Sequence, residues 1–302
     1  MSLVINNNMM AANTARNLNA HYSNLATSTQ RLSTGLRVNS AADDAAGLAI
    51  RELQRADIAA LHQGARNAND AISMIQTADG AMGVIDEKLI RLKELAEQAA
   101  TGTYDSTQRL MIESEYQAMA SEITRIANAT DFNSIHLLDG TLSGDKHDGS
   151  GMTSTGKMKI HFGSGNDSAE DYYYITIGSC TASSLGVGNQ AIDAETGELR
   201  AGGTVSTQQA AQEALEAINQ AIVSKDKIRA HLGAIQNRLE NTITNLNVQA
   251  ENLQAAESRI SDVDVATEMT QFVRNQILTQ SAVAMLGQAN SLPQMAMQLI
   301  GG

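Results

Sequence analysis

A chain of 302 residues with formal net charge −12, no Trp, three Phe, one Pro and one Cys lacks the aromatic anchors of a thick core and is free to run long helices. Its acidity disfavours nucleic acid or an anionic membrane as partner and is accounted for by a solvated acidic surface. The lone Cys180 excludes an internal disulfide, no run of 18 apolar residues offers a membrane span, and MSLVINNNMM has no basic region leading an apolar core, so no secretory signal is expected.

In chain order, Leu18, Tyr22, Leu25, Leu32 and Leu36 repeat at 3–4 spacing, with Thr29 at the remaining seam position, and predict an amphipathic first helix. LSTGLRVNSAADDAAGLAI (32–50) predicts a stop and a restart. Gly35 fits a left-handed C-cap, Asn39 or Ser40 an N-cap, and Asp43 and Asp44 the first turn of the next helix, where its dipole favours acids. Leu48, Ile50 and Leu53 open that helix. Ala68, Ala71, Ile75, Ala78, Met82, Ile85, Leu89, Leu92, Ala96 and Ala99 then hold an almost unbroken repeat. TGTYDST (101–107) is a loop ending in Ser or Thr N-cap candidates, and Ile112, Tyr116, Met119, Ile123 and Ile126 mark a shorter helix.

From about Asp131 to Gly203 the texture turns to Gly, Asp, Ser and Thr. MKIHF (158–162) and YYYITI (172–177) read as strands of a hairpin around GSGNDSAED. Beyond it, thirteen positions from Ile218 to Ile260, Lys225 among them, follow one 3–4 register, a helix of roughly 65 Å. Its eight large aliphatics are worth roughly 12 to 24 kcal/mol gross if buried, so partner helices are required. SRISDVDVA (258–266) then repeats the early break, with Ser261, Asp262 and Asp264 ahead of Met269, Phe272, Val273 and Ile277 on one face, followed by Ala284, Met285 and Leu286.

These patterns predict a mainly α chain: a long coiled-coil or helical-bundle rod, paired N- and C-terminal helices, and a small β-hairpin region in the middle. The expected segments are 1–43 and 258–302 as an inner module, 44–142 and 205–257 as the rod, and 143–204 as a short variable β/loop region. Terminal helices with exposed Leu or Met stripes are too short to be stable alone, so assembly with other copies is expected. The candidate assembly residues are Leu3, Ile5, Leu18, Leu25, Leu32, Met269, Phe272, Val273, Ile277 and Leu286.

Enzyme and metal chemistry find little support. Histidines 21, 62, 136, 147, 161 and 231 are scattered without ligand spacing. DGTLSGDKHDG (139–149) has its alternating acids interrupted by Lys146 and His147, GSGND precedes a strand rather than a helix, and Cys180 has no activating neighbour in sequence. No cofactor is expected.

INNNMMAANTARNLN, the break LSTGLRVNSAADDAAGLAI and NLNVQAENLQAAESRISDVDVATEM resemble bacterial flagellin, and weaker matches continue through LIRLKELAEQAA, ATDFNSIHLLDG and AMLGQANSLPQMAMQLI. The resemblance covers roughly residues 1–142 and 205–302. It implies an extracellular flagellar filament subunit forming a helical homopolymer, with termini inside, the bundle around them and the middle outward. It also implies signal-independent export in an unfolded state, an export chaperone on the C-terminal region, a filament cap, hook-filament junction proteins, and O-glycans on the Ser/Thr-rich middle. A flagellin-like junction protein and, from another class, a soluble coiled-coil adaptor are the alternatives. LIRLKELAEQ further resembles the segment read by the animal Toll-like receptor for flagellin, which implies roles for Arg91, Leu95, Gln98 and Glu115. Ile90 stands there for a usual Gln, and Lys93 for a usual Arg, which keeps the charge but loses the planar donor fork.

Overall fold

A computed structural model of the chain describes residues 7–144, 146–150, 155–168, 170–189 and 202–300. Long helices dominate it, as the repeats require. α1 (Met9–Thr34) starts where Asn8 accepts a hydrogen bond from the Ala11 N–H and ends at Gly35, whose φ of 73° places it in the left-handed region. α2 (Ala45–Ala100), α3 (Ser106–Ala129), the one-turn α4 (Ala182–Leu185), α5 (Gln208–Ser261) and α6 (Val265–Ile300) follow.

The restart of α2 differs from the sequence expectation. Asn39 and Ser40 do not cap it, and Asp43 and Asp44 precede it rather than sit in its first turn. Asp43 accepts from the backbone N–H groups of Asn39 and Ser40 and from the Ser40 hydroxyl. Asp44 is the cap, accepting from the Gly47 N–H at 2.8 Å. Four polar side chains within six residues compete for the same backbone donors, and a carboxylate is the strongest acceptor among them. Likewise α3 is capped by Asp105, not by the Ser or Thr that follow it, with Gln108 reaching back to the Asp105 N–H.

The chain divides into two units. Residues 59–250 form the larger. Within it α2, α3 and α5 bury their repeats together: all ten predicted seam positions of α2 from Ala68 to Ala99 are buried, joined by Ile112, Tyr116 and Ile123 of α3 and by Ile218, Ala221, Leu232 and Leu239 of α5. At the C-terminal end of that repeat Gln249 is exposed and Ala250 is buried in its place.

Among the described residues, the middle of the chain carries three two-stranded antiparallel sheets. They are β1 (Asp131–Phe132) with β2 (Ile135–His136), β3 (His147–Asp148) with β4 (Thr155–Gly156), and the expected hairpin β5 (Met158–His161) with β6 (Tyr172–Ile175). In the last, Ile160 pairs with Tyr173 and His161 with Tyr172. Ile175, Ile177, Cys180, Leu185 and Val187 belong to the same core as the helices. Tyr116 donates to the Gly202 carbonyl at 2.7 Å, and Gln117 to that of Gly203. The described residues between 143 and 204 are thus packed into the larger unit.

Residues 1–58 and 251–302 make the smaller unit. Both divisions fall inside long helices, at positions 58/59 of α2 and 250/251 of α5, whereas the sequence breaks lie at 35–44 and 262–264.

Candidate functional site

In the smaller unit the two breaks meet. Leu36 forms an antiparallel bridge with Asp262, the Arg37 N–H donates to Ser261 at 2.6 Å, and the Val263 N–H donates to Gly35 at 3.0 Å. Arg37 adds its guanidinium to the Ile260 carbonyl, 2.7 Å from Nη2. Asp264 caps α6, accepting from the N–H groups of Ala266 and Thr267 and from the Thr267 hydroxyl. From this joint α1 and α6 run back antiparallel, linked by Arg31 with Glu268 and, at the far end, by Asn8 with the Ala289 carbonyl.

The Asn8 link has a covalent cause. Pro293 lies within α6 and has no N–H, so the carbonyl four residues before it, that of Ala289, loses its helical donor. Asn8 Nδ2 takes that carbonyl at 2.7 Å while Asn8 Oδ1 holds the Ala11 N–H. One side chain thus caps α1 and repairs α6.

Polarity in this unit is inverted. Among the described residues only two apolar side chains in it, Val38 and Ala289, are buried, against five polar or charged ones: Ser28, Arg51, Ser261, Glu268 and Thr279. Many large apolar side chains face outward, with Met269 and Val273 each 44 % exposed and Ile277 57 %. Tyr22, Val265, Val283 and Met285 are exposed as well. Of the predicted assembly residues, Leu18, Leu25 and Leu32 are half-buried on α1, and Phe272 and Leu286 on α6. Those five therefore serve the pairing of α1 with α6, while Met269, Val273 and Ile277 form a separate outward stripe. Leu3 and Ile5 lie outside the described residues.

Between the two helices opens a polar cleft of about 460 Å³, lined by Asn24, Thr27, Ser28, Arg31, Glu268, Gln271, Arg274 and Asn275. The sequence reading missed it because it followed apolar stripes, and the residues here are polar at seam spacing. The smaller unit is also a lysine-free zone. Its seven cations are all arginines, against nine acids, whereas all seven lysines lie in the larger unit.

In the larger unit, Arg91 of α2 donates to Glu115 of α3 through Nε at 3.0 Å and Nη2 at 2.7 Å, and also to Glu94. Gln98, two turns along, bonds the Tyr104 hydroxyl. These three residues share an exposed surface. Leu95 does not join them: it is 1 % exposed and packed in the core. Its spacing put it near the others in sequence, but it falls on the seam side of α2, next to buried Leu92 and Ala96. Cys180 is buried with its thiol pushed up to about 11 by desolvation, against a smaller opposing effect of the Lys225 charge.

Comparison with known proteins gives one consistent result. The family described as bacterial flagellin N-terminal helical region matches residues 5–143, and bacterial flagellin C-terminal helical region matches residues 215–300. A flagellin of Bacillus subtilis is 40 % identical over 98 % of this chain and 99 % of its own. A flagellin of Halalkalibacterium halodurans is 39 % identical, and a flagellar filament 33 kDa core protein of Treponema phagedenis 38 %, each over 99 % of this chain and 100 % of its own. Among solved structures, a putative flagellar hook-associated protein of Vibrio parahaemolyticus superposes with a TM-score of 0.54 at 14 % identity, covering 73 % of this chain and all of that one, which is a likeness of fold.

Proposed function

The chain belongs to the bacterial flagellin family, and on that premise we propose that the smaller unit is the part through which copies join. The protein is a structural subunit of the flagellar filament, not an enzyme. The observation that carries the proposal is the inverted polarity of α1 and α6. Burying Met269, Val273 and Ile277 against a second copy gains about 1.5–3 kcal/mol for each side chain. Leaving such a stripe in water offers no such gain and invites association. In a filament such a contact joins different surfaces of successive copies, so that it propagates instead of closing. The filament stands outside the cell, and the outward stripe of α6 is what an export chaperone covers before assembly. A cap at the growing tip and junction proteins at the base are its other partners.

Electron microscopy of purified chain seeded with filament fragments tests the reading, run beside a version trimmed to residues 45–255. Long filaments from the intact chain and none from the trimmed one are expected. If the trimmed chain polymerises equally well, the smaller unit is not the joining part. Small closed oligomers from the intact chain would move a junction protein or an adaptor ahead.

The exposed Arg91–Glu115 pair with Gln98 supports a second role for the free subunit, recognition by the Toll-like receptor for flagellin. Leu95 supports that surface from below without touching a partner. Arg91→Ala is expected to weaken receptor activation at least about tenfold while filament yield stays unchanged.

A further inference from the structure

Methionine is distributed unevenly between the two units. In the larger one the described methionines mostly face inward. Met74 and Met82 are buried, Met119 and Met158 pack against the core, and Met111 is exposed. In the smaller one Met9, Met10, Met269, Met285 and Met295 are all exposed. Met269 lies within the outward stripe of α6. Val265 one turn before it, and Val273 and Ile277 one and two turns after it, are exposed on the same face. Other readily oxidised groups are withheld. The chain has no Trp, and Cys180 is buried with its thiol pushed up to about 11, so it presents no thiolate to a peroxide. A thioether needs no deprotonation before it reacts. The exposed methionines are therefore the groups that a two-electron oxidant meets first on a free subunit.

We infer that the Met269 thioether is an oxidation site that governs joining: the reduced subunit assembles, and the sulfoxide form is held back. The inference rests on the assembly reading above and adds its regulation. The oxidant is a peroxide. The sulfur lone pair attacks one oxygen of hydrogen peroxide, the O–O bond breaks, and proton transfer leaves methionine sulfoxide and water. Sulfur loses two electrons and the peroxide gains them. The product carries a polar S=O acceptor on a side chain that was apolar. A second copy seated on the stripe must then enclose that oxygen, and Val265, Val273 and Ile277 around it have no side-chain donor to offer. The smaller unit keeps its own fold, because the bridge of Leu36 with Asp262 and the Asp264 cap use neither the Met269 side chain nor its stripe. Once a neighbour covers the thioether, the oxidant no longer reaches it. Oxidation thus acts on free subunits and spares the finished contact, and enzymatic reduction of the sulfoxide restores competence.

The test uses the full chain. Free subunit and seeded filaments are exposed to hydrogen peroxide, sulfoxides are located by peptide mass spectrometry, and the critical concentration of seeded polymerisation is measured. Thermal unfolding of the larger unit checks folding. In the free subunit Met269 is expected to oxidise while Met74 and Met82 do not, and the critical concentration is expected to rise at least about tenfold. Methionine sulfoxide reductases for both epimers should reverse the rise. Met269→Leu, which keeps the volume, should polymerise like the parent and lose most of its sensitivity to peroxide. Met269→Gln, polar without any oxidant, should behave as the oxidised parent does. In filaments Met269 should stay reduced. Oxidised parent that polymerises normally, or a Met269 that oxidises as fast in filaments as in free subunit, overturns the inference. A Met269→Leu chain as sensitive as the parent overturns the choice of residue. Untreated parent that fails to polymerise refutes the assembly reading itself, and the regulation with it.

Discussion

At single residues, some side chains hold positions that spacing assigns and hydropathy would refuse. Lys225 occupies a seam position of α5 and is 1 % exposed, with its ammonium on Asp86 and Asp226. Both acids keep some access to water, so Lys225→Met removes the buried charge, retains the stem's packing and is expected to change stability by less than about 1.5 kcal/mol. Asp86→Ala leaves the ammonium in place with one partner fewer and is expected to lose about 1–3 kcal/mol in thermal unfolding. A larger loss from the lysine variant than from the aspartate variant would sink this account. Cys180 gives a chemical check on the core. With its thiol pushed up to about 11 by burial, it is protonated at pH 8 and should react with a thiol reagent only when the larger unit opens, at a rate that follows unfolding.

At the scale of elements, helix interiors were legible and helix ends less so. The α2 repeat turned out buried at every named position because a long 3–4 pattern has one self-consistent face. The caps at Asp44 and Asp105 were misplaced by a few residues, since Ser, Thr, Asn and Asp crowd both loops and sequence does not say which oxygen arrives first. The two smallest hairpins went unread, as two-residue strands carry no alternation. The α1–α6 pair was foreseen, and so were the apolar residues Leu18, Leu25, Leu32, Phe272 and Leu286 that are half-buried in it, but its polar positions were not. Apolar spacing selected Met269, Val273 and Ile277, which face outward, together with Phe272, which is half-buried, and it passed over the buried polar Glu268 and Thr279 on the same helix. The Asn8 clip is testable at this scale. Asn8→Ala is expected to lose about 1 kcal/mol of local stability, read as faster amide exchange in the first turn of α1 and around Ala289 together. Gly64 of α2 is a second constraint. A Cβ there would stand 1.9 Å from the Phe162 carbonyl oxygen, so Gly64→Ala should push the β5–β6 hairpin away and destabilise the larger unit by about 1–3 kcal/mol.

For the whole molecule, stability is unevenly distributed. The larger unit buries a continuous apolar core, whereas the smaller is held by caps, a backbone bridge and polar seams. Acid should therefore separate them. Hydrogen bonds from Ser40 and Asn39 hold Asp43 below the usual carboxylate range, and those from Thr267 and Ala266 do the same for Asp264. Carboxylates depressed in the folded state stabilise it above their unfolded value of about 4, and that contribution fades as pH falls through the folded value. Asp79 in the larger unit is lowered too, by Arg229, but the core beneath it does not titrate. Amide exchange measured from pH 6 down to 3 is expected to show α1 and α6 loosening before α2, α3 and α5. Simultaneous loss in both units would count against this division of labour.

The absence of lysine from the smaller unit also decides how the protein can be handled. Amine-reactive dyes and acylating reagents will modify side chains only between residues 59 and 250, at Lys88, Lys93, Lys146, Lys157, Lys159 and Lys227, with Lys225 shielded. None of those side chains lies on α1 or α6, so a fluorescent label can be attached without altering a side chain of either helix. A lysine-specific protease is confined in the same way to sites between Lys88 and Lys227, and would release the two ends of the chain with α1 and α6 uncut.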